Sequence, residues 1–323
     1  MVERDYLYYD ITSVSSYGQR NGYLKYGCNR DGERLKQINL AVLFGQNSEV
    51  PLCFNRLPGN VSDVATLHCF LEISGYLDMP KLHLVLDRGF YSTKNVDDLL
   101  SARNTFIMAV LGRPIWVREA IDGVHQSIQN LDGYRKIGDE VLYVHSRLYP
   151  WGEDRKRCYL HIYYNSHAAA ADTDGFTSEL LDYKEELEQG LFIKGHEEAY
   201  TTFFIVKETP ARGRRVLFNN EAIENHRNRY AGFYVLLTND IKDPLQALEV
   251  YRTKDAVEKC FDDLKNHLDM KRLRTHSSPG PWTAGSLCPV HRTYTHQHPV
   301  RREIRNSMPI YYGITTEGNH RII

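Results

Sequence analysis

The sequence predicts an α/β protein: a mixed five-stranded sheet with flanking helices, a long β-rich insertion, and a last helix that returns to the sheet. Three observations predict it. Strand-like and helix-like patterns succeed one another as βββαβαβ between Leu7 and Val110. The pattern then changes over 112–240, a stretch too long for a loop. After it, Tyr251 to Lys265 reads as a helix with an apolar stripe and a polar stripe beside it.

Each element has its own local signal. Leu7-Tyr8-Tyr9-Asp10-Ile11-Thr12-Ser13-Val14 is aromatic and β-branched, which suits a strand. Gln37 to Phe44 and Val50 to Arg56 are two more, and turn residues such as Asn29-Arg30-Asp31-Gly32 make the three an antiparallel meander. Ser62 or Asp63 can cap a helix through about Ile73, with Val64, Leu67, Phe70 and Leu71 as its apolar side. Leu82 to Asp87 is an apolar run that ends on an acid, as a buried strand would. Lys94 to Ala102 reads as a short helix, and Thr105 to Val110 as a further buried strand.

In the insertion, Glu140–Leu148, Cys158–Tyr164, Thr202–Val206 and Arg215–Phe218 have strand character, and Ser178 to Gln189 reads as a charged helix. Gly232 to Asn239 is one more strand. The expected organisation is therefore 1–111, first part of the core; 112–240, β-rich insertion; 241–276, the helix carrying Glu258; and 277–323, an irregular tail.

On the last helix, Val250, Val257, Phe261, Leu264 and Leu268 form the apolar stripe, and Tyr251, Lys254, Glu258 and Lys265 the polar one. A face meant only for solvent would lie opposite the core. This one flanks it, where a helix borders a cleft. A carboxylate between two lysines and a tyrosine suits a metal ion and a phosphate backbone together. Taken alone, Lys254–Glu258 is an ordinary i,i+4 surface pair worth a few tenths of a kcal/mol.

The spacing Tyr-(2)-Lys-(3)-Glu-(6)-Lys resembles the Tyr-(2)-Arg-(3)-Glu-(6)-Lys signature of a branch of bacterial and archaeal insertion-sequence transposases, the insertion-sequence-four-like DDE transposases with a ribonuclease-H-like core. Asp10-Ile11-Thr12-Ser13, Asp87-Arg88-Gly89-Phe90 and Pro58-Gly59-Asn60-Val61-Ser62-Asp63 resemble motifs of the same branch, which also carries a β-rich insertion. The resemblance covers roughly 5–110 and 230–276, and the block between only in outline. An acid at a strand end ordinarily caps a turn; the order strand-Asp, strand-Asp, helix-Glu is similar to that of the family, and it is the resemblance that implies chemistry.

The resemblance implies that Asp10, Asp87 and Glu258 are the catalytic carboxylates and the ligands of two Mg²⁺ or Mn²⁺ ions held about 4 Å apart. It also implies that Tyr251, Lys254 and Lys265 position DNA phosphates. Lys254 stands where the signature has Arg, so it keeps the charge and loses the bidentate fork. The implied activity is cleavage at element ends and strand transfer, with double-stranded DNA as partner, self-association of the intact protein, and a cytoplasmic, nucleoid-associated place in a prokaryote. Carboxylates alone imply only phosphodiester cleavage. Another ribonuclease-H-like nuclease and a non-catalytic remnant that binds DNA or a full-length partner are the alternatives.

Composition bounds these readings. The chain of 323 residues is 42% apolar and 25% charged, as a soluble globular protein is. No apolar run approaches the roughly 20 residues of a membrane span, and the N-terminus has no signal-sequence pattern. Cys28, Cys53, Cys69, Cys158, Cys260 and Cys288 include no Cys-x-x-Cys pair, which argues for reduced cytosolic thiols and against a zinc ribbon. A net charge of −1 argues against a self-sufficient DNA binder. The first core strand begins within ten residues of Met1, so a truncated copy lacking a basic DNA-reading domain is expected.

His145 and His161 lie in strand patterns without metal-ligand spacing. Trp116 and Trp151 could stack on an extruded base, but packing is their ordinary use. From Pro279 to His298 the chain is rich in Pro, His, Trp and Thr with no helical period, where the resemblance implies an apolar helix. A frameshift near residue 278 and a divergent tail both account for this.

Overall fold

Nearly every residue of Leu7–Ser16 is buried, without the alternation of a half-exposed strand. Such a strand must lie inside a sheet covered on both faces, and it does. The structure, a computed structural model, describes residues 5–18, 21–76, 81–110, 112, 114–138, 140–209, 213–267 and 271–273. Leu268 and the tail from 277 onward lie outside the described residues. The chain divides into two compact units, one of 1–109, 149–159 and 237–323, the other of 110–148 and 160–236.

The first unit opens with β1 (Leu7–Ser16), β2 (Lys36–Gly45), β3 (Pro51–Pro58), α1 (Asp63–Tyr76), β4 (His83–Leu86), α2 (Thr93–Ser101) and β5 (Thr105–Val110). Its strands stand in the order β3-β2-β1-β4-β5. β1–β2 and β2–β3 are antiparallel, while β1–β4 and β4–β5 are parallel. The βββαβαβ order read from sequence therefore holds, with strands one and four as parallel neighbours.

Leu84, Leu86, Ile107 and Met108 are fully buried, as are Leu67 of α1 and Val96 and Leu99 of α2. Each such side chain contributes roughly 1.5–3 kcal/mol by leaving water. Tyr9 stacks on Phe70 of α1 with ring centroids 4.7 Å apart, and its hydroxyl donates to the Thr66 carbonyl at 3.2 Å. Ser92 caps α2 by accepting from the Asn95 N–H. Asn95 is buried and its amide donates to the carbonyls of Val64 (3.0 Å) and Phe90 (2.8 Å), which ties α2 to α1 and to the turn after β4.

The second unit holds α3 (Ile115–His125), β6 (Tyr134–Ile137), most of β7 (Glu140–Trp151) and β8 (Lys156–Tyr164), α4 (Ser166–Glu188), α5 (Glu197–Phe203), β9 (Phe204–Thr209), β10 (Gly213–Phe218), α6 (Asn220–Tyr230) and the start of β11 (Phe233–Thr238). Strands β11, β8, β7 and β6 are neighbours in that order, and β9–β10 is a separate antiparallel hairpin. Leu180, Leu187, Tyr200, Phe204, Val216 and Ile223 form a small core under that hairpin.

The expected strands are present, but α4 begins twelve residues before the charged segment that announced it. The Asn165 side chain caps it by accepting from the His167 and Ala168 N–H groups, and an alanine run continues it. Three helices, α3, α5 and α6, were not read from the sequence. His161 is buried and bonded to the Ser146 hydroxyl at 2.8 Å, a packed histidine as its strand pattern suggested.

The chain closes in the first unit with α7 (Pro244–Arg252), α8 (Asp255–Asp262), a π-helical turn (Asp263–His267) and β12 (Arg272–Leu273). Asp243 caps α7, with Pro244 in its first turn. The Tyr8 hydroxyl reaches the Val250 carbonyl at 3.4 Å and so seats α7 on β1. β12 pairs in parallel with Ser15–Ser16 at the far end of β1. Among the described residues no helix is long and apolar enough to cross a membrane.

Candidate active site

Strand register brings the two aspartates together. The last β1–β4 pair is Tyr9 with Leu86, so the next residues of the two parallel strands are Asp10 and Asp87. Neighbouring strands lie about 4.8 Å apart, and residues in parallel register project to one face. β1 pairs with β4 through Leu7–Tyr9 and with β12 through Ser15–Ser16, and Asp10 opens the interval between them.

Asp10 is half-buried and accepts the Ile11 N–H at 2.7 Å. Burial pushes its carboxyl up to about 6, against the lowering pull of that N–H, Lys254 and Arg30 and with a small push from Asp87. Asp87 opens a single 3-10 turn, Arg88–Phe90, pinned by the buried Phe90 ring and by Asn95. A Cβ on Gly89 would lie 2.9 Å from an Asp63 carboxylate oxygen, so the turn passes close to the start of α1. Burial raises the Asp87 carboxyl, but Lys254, the Arg88 N–H and the Tyr251 hydroxyl outweigh it and hold it below the usual carboxylate range.

The helix expected to run unbroken from Tyr251 to Lys265 is interrupted. α7 ends at Arg252, where the Thr253 hydroxyl turns back onto the carbonyls of Glu249 (3.1 Å) and Val250 (2.9 Å). α8 starts after Lys254 and gives way to the π-helical turn at Asp263. The wider turn holds an extra residue and rotates the side chains after it.

Three of the four signature residues still converge. The Tyr251 hydroxyl donates to Asp87 at 2.9 Å, and burial, with the Asp87 charge next in size, raises its pKa, so it remains a donor. The Lys254 ammonium lies 3.5 Å from Asp87 and 3.2 Å from Glu258, and 5.6 Å from the centre of the Tyr251 ring. Burial lowers the Lys254 pKa, but Asp87, Glu258 and Asp10 together raise it, so the ammonium stays charged. All three acids thus act on one lysine. Lys265, carried by the π-helical turn, has a different partner: both carboxylate oxygens of Asp31, each at 2.9 Å.

Asp10, Asp87 and Glu258 offer hard oxygen donors, the chemistry that Mg²⁺ and Mn²⁺ prefer. Among the described residues, no three His, Cys, Asp or Glu are yet gathered closely enough to hold a metal ion. Asp10 and Asp87 are adjacent, and burial rather than their mutual repulsion is what raises the Asp10 carboxyl. Glu258 is 55% exposed and is linked to Asp87 through Lys254. The donor type, three carboxylates, suits a divalent ion; among the described residues the gathering of all three around one is not present.

Sequence reasoning missed a neighbouring set of charges. Arg30 makes two contacts of 2.8 Å with Asp63 and helps hold the Asp10 charge. Asp31 holds Lys265, and Glu33 holds Arg272 of β12. Asn29-Arg30-Asp31-Gly32 was legible as a turn, but the partners of the Arg30 and Asp31 side chains are more than thirty residues distant and left no local signal. Trp151 is buried, and its indole N–H donates to Asp97 at 2.7 Å, which is a packing role.

Residues 7–280 match the family model described as transposase DDE domain. Among curated protein sequences none matches the chain. A cryo-EM structure of the piggyBac transposase synaptic complex with hairpin DNA is similar at a TM-score of 0.43 and 12% identity. The likeness covers 85% of this chain and 42% of that one, so this chain spans less than half the length of that transposase.

Proposed function

Since the chain belongs to the DDE transposase family, we propose that it is the catalytic core of an insertion-sequence transposase of the Tyr-(2)-Arg/Lys-(3)-Glu-(6)-Lys branch. It cleaves DNA at element ends and joins the freed 3′-hydroxyl to target DNA. The observation that carries the reading is that Asp10 and Asp87 stand side by side, each just past the last paired residues Tyr9 and Leu86, with Lys254 linking Asp87 to Glu258.

Asp10, Asp87 and Glu258 would hold the divalent ions with which this family works. Two Mg²⁺ or Mn²⁺ ions bound there would supply Lewis-acid activation of the attacking hydroxyl and stabilisation of the leaving oxygen. The chain's own residues prepare the site. Tyr251 fixes the Asp87 carboxylate by its hydroxyl, and the turn pinned by Asn95 fixes its backbone. Lys254 pairs with Asp87 and Glu258 in the free protein, and the reading assigns it, with Tyr251 and Lys265, to contacts with the phosphate backbone. When a phosphate takes the ammonium, Glu258 is released to turn toward the two aspartates.

Double-stranded DNA is the proposed partner, self-association is proposed for the intact protein, and a nucleoid-associated cytoplasmic place accords with the substrate. The test is Mn²⁺-dependent nicking of an end-containing duplex by the full chain, beside Asp87→Asn and Glu258→Gln. The proposal expects both variants to lose nicking and keep duplex binding. Undiminished nicking by either would overturn the site, and binding without nicking by the unaltered chain would favour the non-catalytic reading.

A further inference from the structure

Lys265 and Asp31 form the most enclosed ion pair near the site, with side chains only 11% and 17% exposed. The ammonium meets both carboxylate oxygens at 2.9 Å, so the acid presents two oxygens to it as a phosphodiester would. Asp31 is held for this by its own turn. Its N–H donates to the Asn29 side chain at 2.8 Å, which also receives the Glu33 N–H, and Gly32 comes next at φ +69°. That conformation suits glycine. Asn29 is in turn anchored to the Ser15 hydroxyl on β1 at 2.9 Å. The loop that carries Asp31 is thus fastened to the strand that carries Asp10, and its acid faces the helix end beyond Glu258.

A lysine in such a pair has its charge and two of its three N–H donors engaged by the carboxylate, so a DNA phosphate must compete with Asp31 for it. We propose that Asp31 is a positioning residue that acts through Lys265: it stands in for a backbone phosphate in the free protein, keeps the ammonium aimed at the site, and yields it to DNA on binding. No bond is made or broken; one anion replaces another on the same cation. Glu33 on Arg272, at 2.5 Å, keeps the loop attached to β12 while the exchange occurs. The inference rests on the DNA-binding reading of this site and adds to it the competitor that DNA must displace.

The experiment is a two-residue cycle on the full chain: unaltered, Asp31→Asn, Lys265→Met, and both together. Each is titrated with a fluorescent duplex between 50 and 200 mM salt, and its fold is checked by thermal melting. Asp31→Asn is expected to bind about five- to tenfold tighter at low salt, with a salt slope steeper by about one because Lys265 now makes its phosphate contact without a competitor. In the Lys265→Met background the same change is expected to do nothing beyond a small uniform charge effect. Equal tightening in both backgrounds would show a general loss of negative charge and overturn the proposal. So would weaker binding by Asp31→Asn.

If Asp31→Asn does not fold, Asp31→Ser takes its place. Failure of both to fold beside a folded Lys265→Met would show a pair the fold cannot release, again overturning the proposal. An unaltered chain that binds no duplex at 50 mM salt would instead overturn the DNA-binding reading on which it rests.

Discussion

Asp10→Asn should stabilise the first unit at neutral pH, and the gain should vanish in acid. Asp10 has its carboxyl raised from 3.8 to about 6, chiefly by burial, although the Ile11 N–H, Lys254 and Arg30 pull it down. Linkage sets the sign. A carboxyl whose folded pKa lies above its unfolded value favours the protonated folded state. Its ionised form therefore costs stability in full above about pH 6, less as the pH falls through 6, and nothing below about pH 4. From 3.8 to about 6 is about two pK units, and at about 1.4 kcal/mol per unit the cost is about 3 kcal/mol, as a ceiling.

Asparagine keeps an oxygen to accept the Ile11 N–H and removes the charge. Because the chain has two units, global melting would mix their transitions. Native-state amide exchange at the fully buried Leu84, Leu86, Ile107 and Met108 reports the first unit by itself. In EDTA at pH 8 the variant should show up to roughly 100-fold greater protection than the unaltered chain, and the two should converge at pH 4. Equal protection at pH 8, or a gain that persists at pH 4, would refute the reasoning, because neither is compatible with a buried, under-compensated carboxylate.

Two further outcomes rest on single contacts. Tyr251→Phe removes the hydroxyl 2.9 Å from Asp87 while leaving Lys254 there, so nicking should fall about tenfold, or about 1.4 kcal/mol, with little change in melting temperature. A variant as active as the unaltered chain would release Tyr251 from any part in holding Asp87. Trp151→Phe removes the indole bond to Asp97 and some buried ring, and should cost about 1–2 kcal/mol, read as lost amide-exchange protection in the first unit, while leaving duplex binding unchanged. Reduced DNA affinity at unchanged stability would restore the base-stacking use of that tryptophan.

The core was legible because its strands are strongly patterned. Leu82 to Leu86 and Thr105 to Val110 are apolar on both faces, which leaves little choice but a central parallel strand, and they pair in register from His83 with Thr105 onward. The same patterning placed Asp10 and Asp87 at strand positions that proved adjacent. Helical periodicity placed Tyr251, Lys254 and Glu258 on one stripe, and they do converge, because i,i+4 and i,i+3 neighbours survive the break at Thr253.

Lys265 shows where periodicity stops working. An ideal helix would return it to the stripe, but the π-helical turn at Asp263 changes the angle per residue, and nothing local in Asp263-Leu264-Lys265 announces it. The Asp31 partner was out of reach for the same reason that most tertiary ion pairs are: its turn was readable, its direction was not. In the second unit α4 was read from its charged end only, since the alanine-rich start has no amphipathic period and depends on the Asn165 cap.

The most direct test is a crystal of the full chain grown with Mn²⁺, measured for anomalous scattering. The three-acid site predicts manganese bound by Asp10 and Asp87, with Glu258 turned away from Lys254 to join them. Manganese bound by other residues, or Glu258 still on Lys254 beside a metal held by the two aspartates alone, would contradict it.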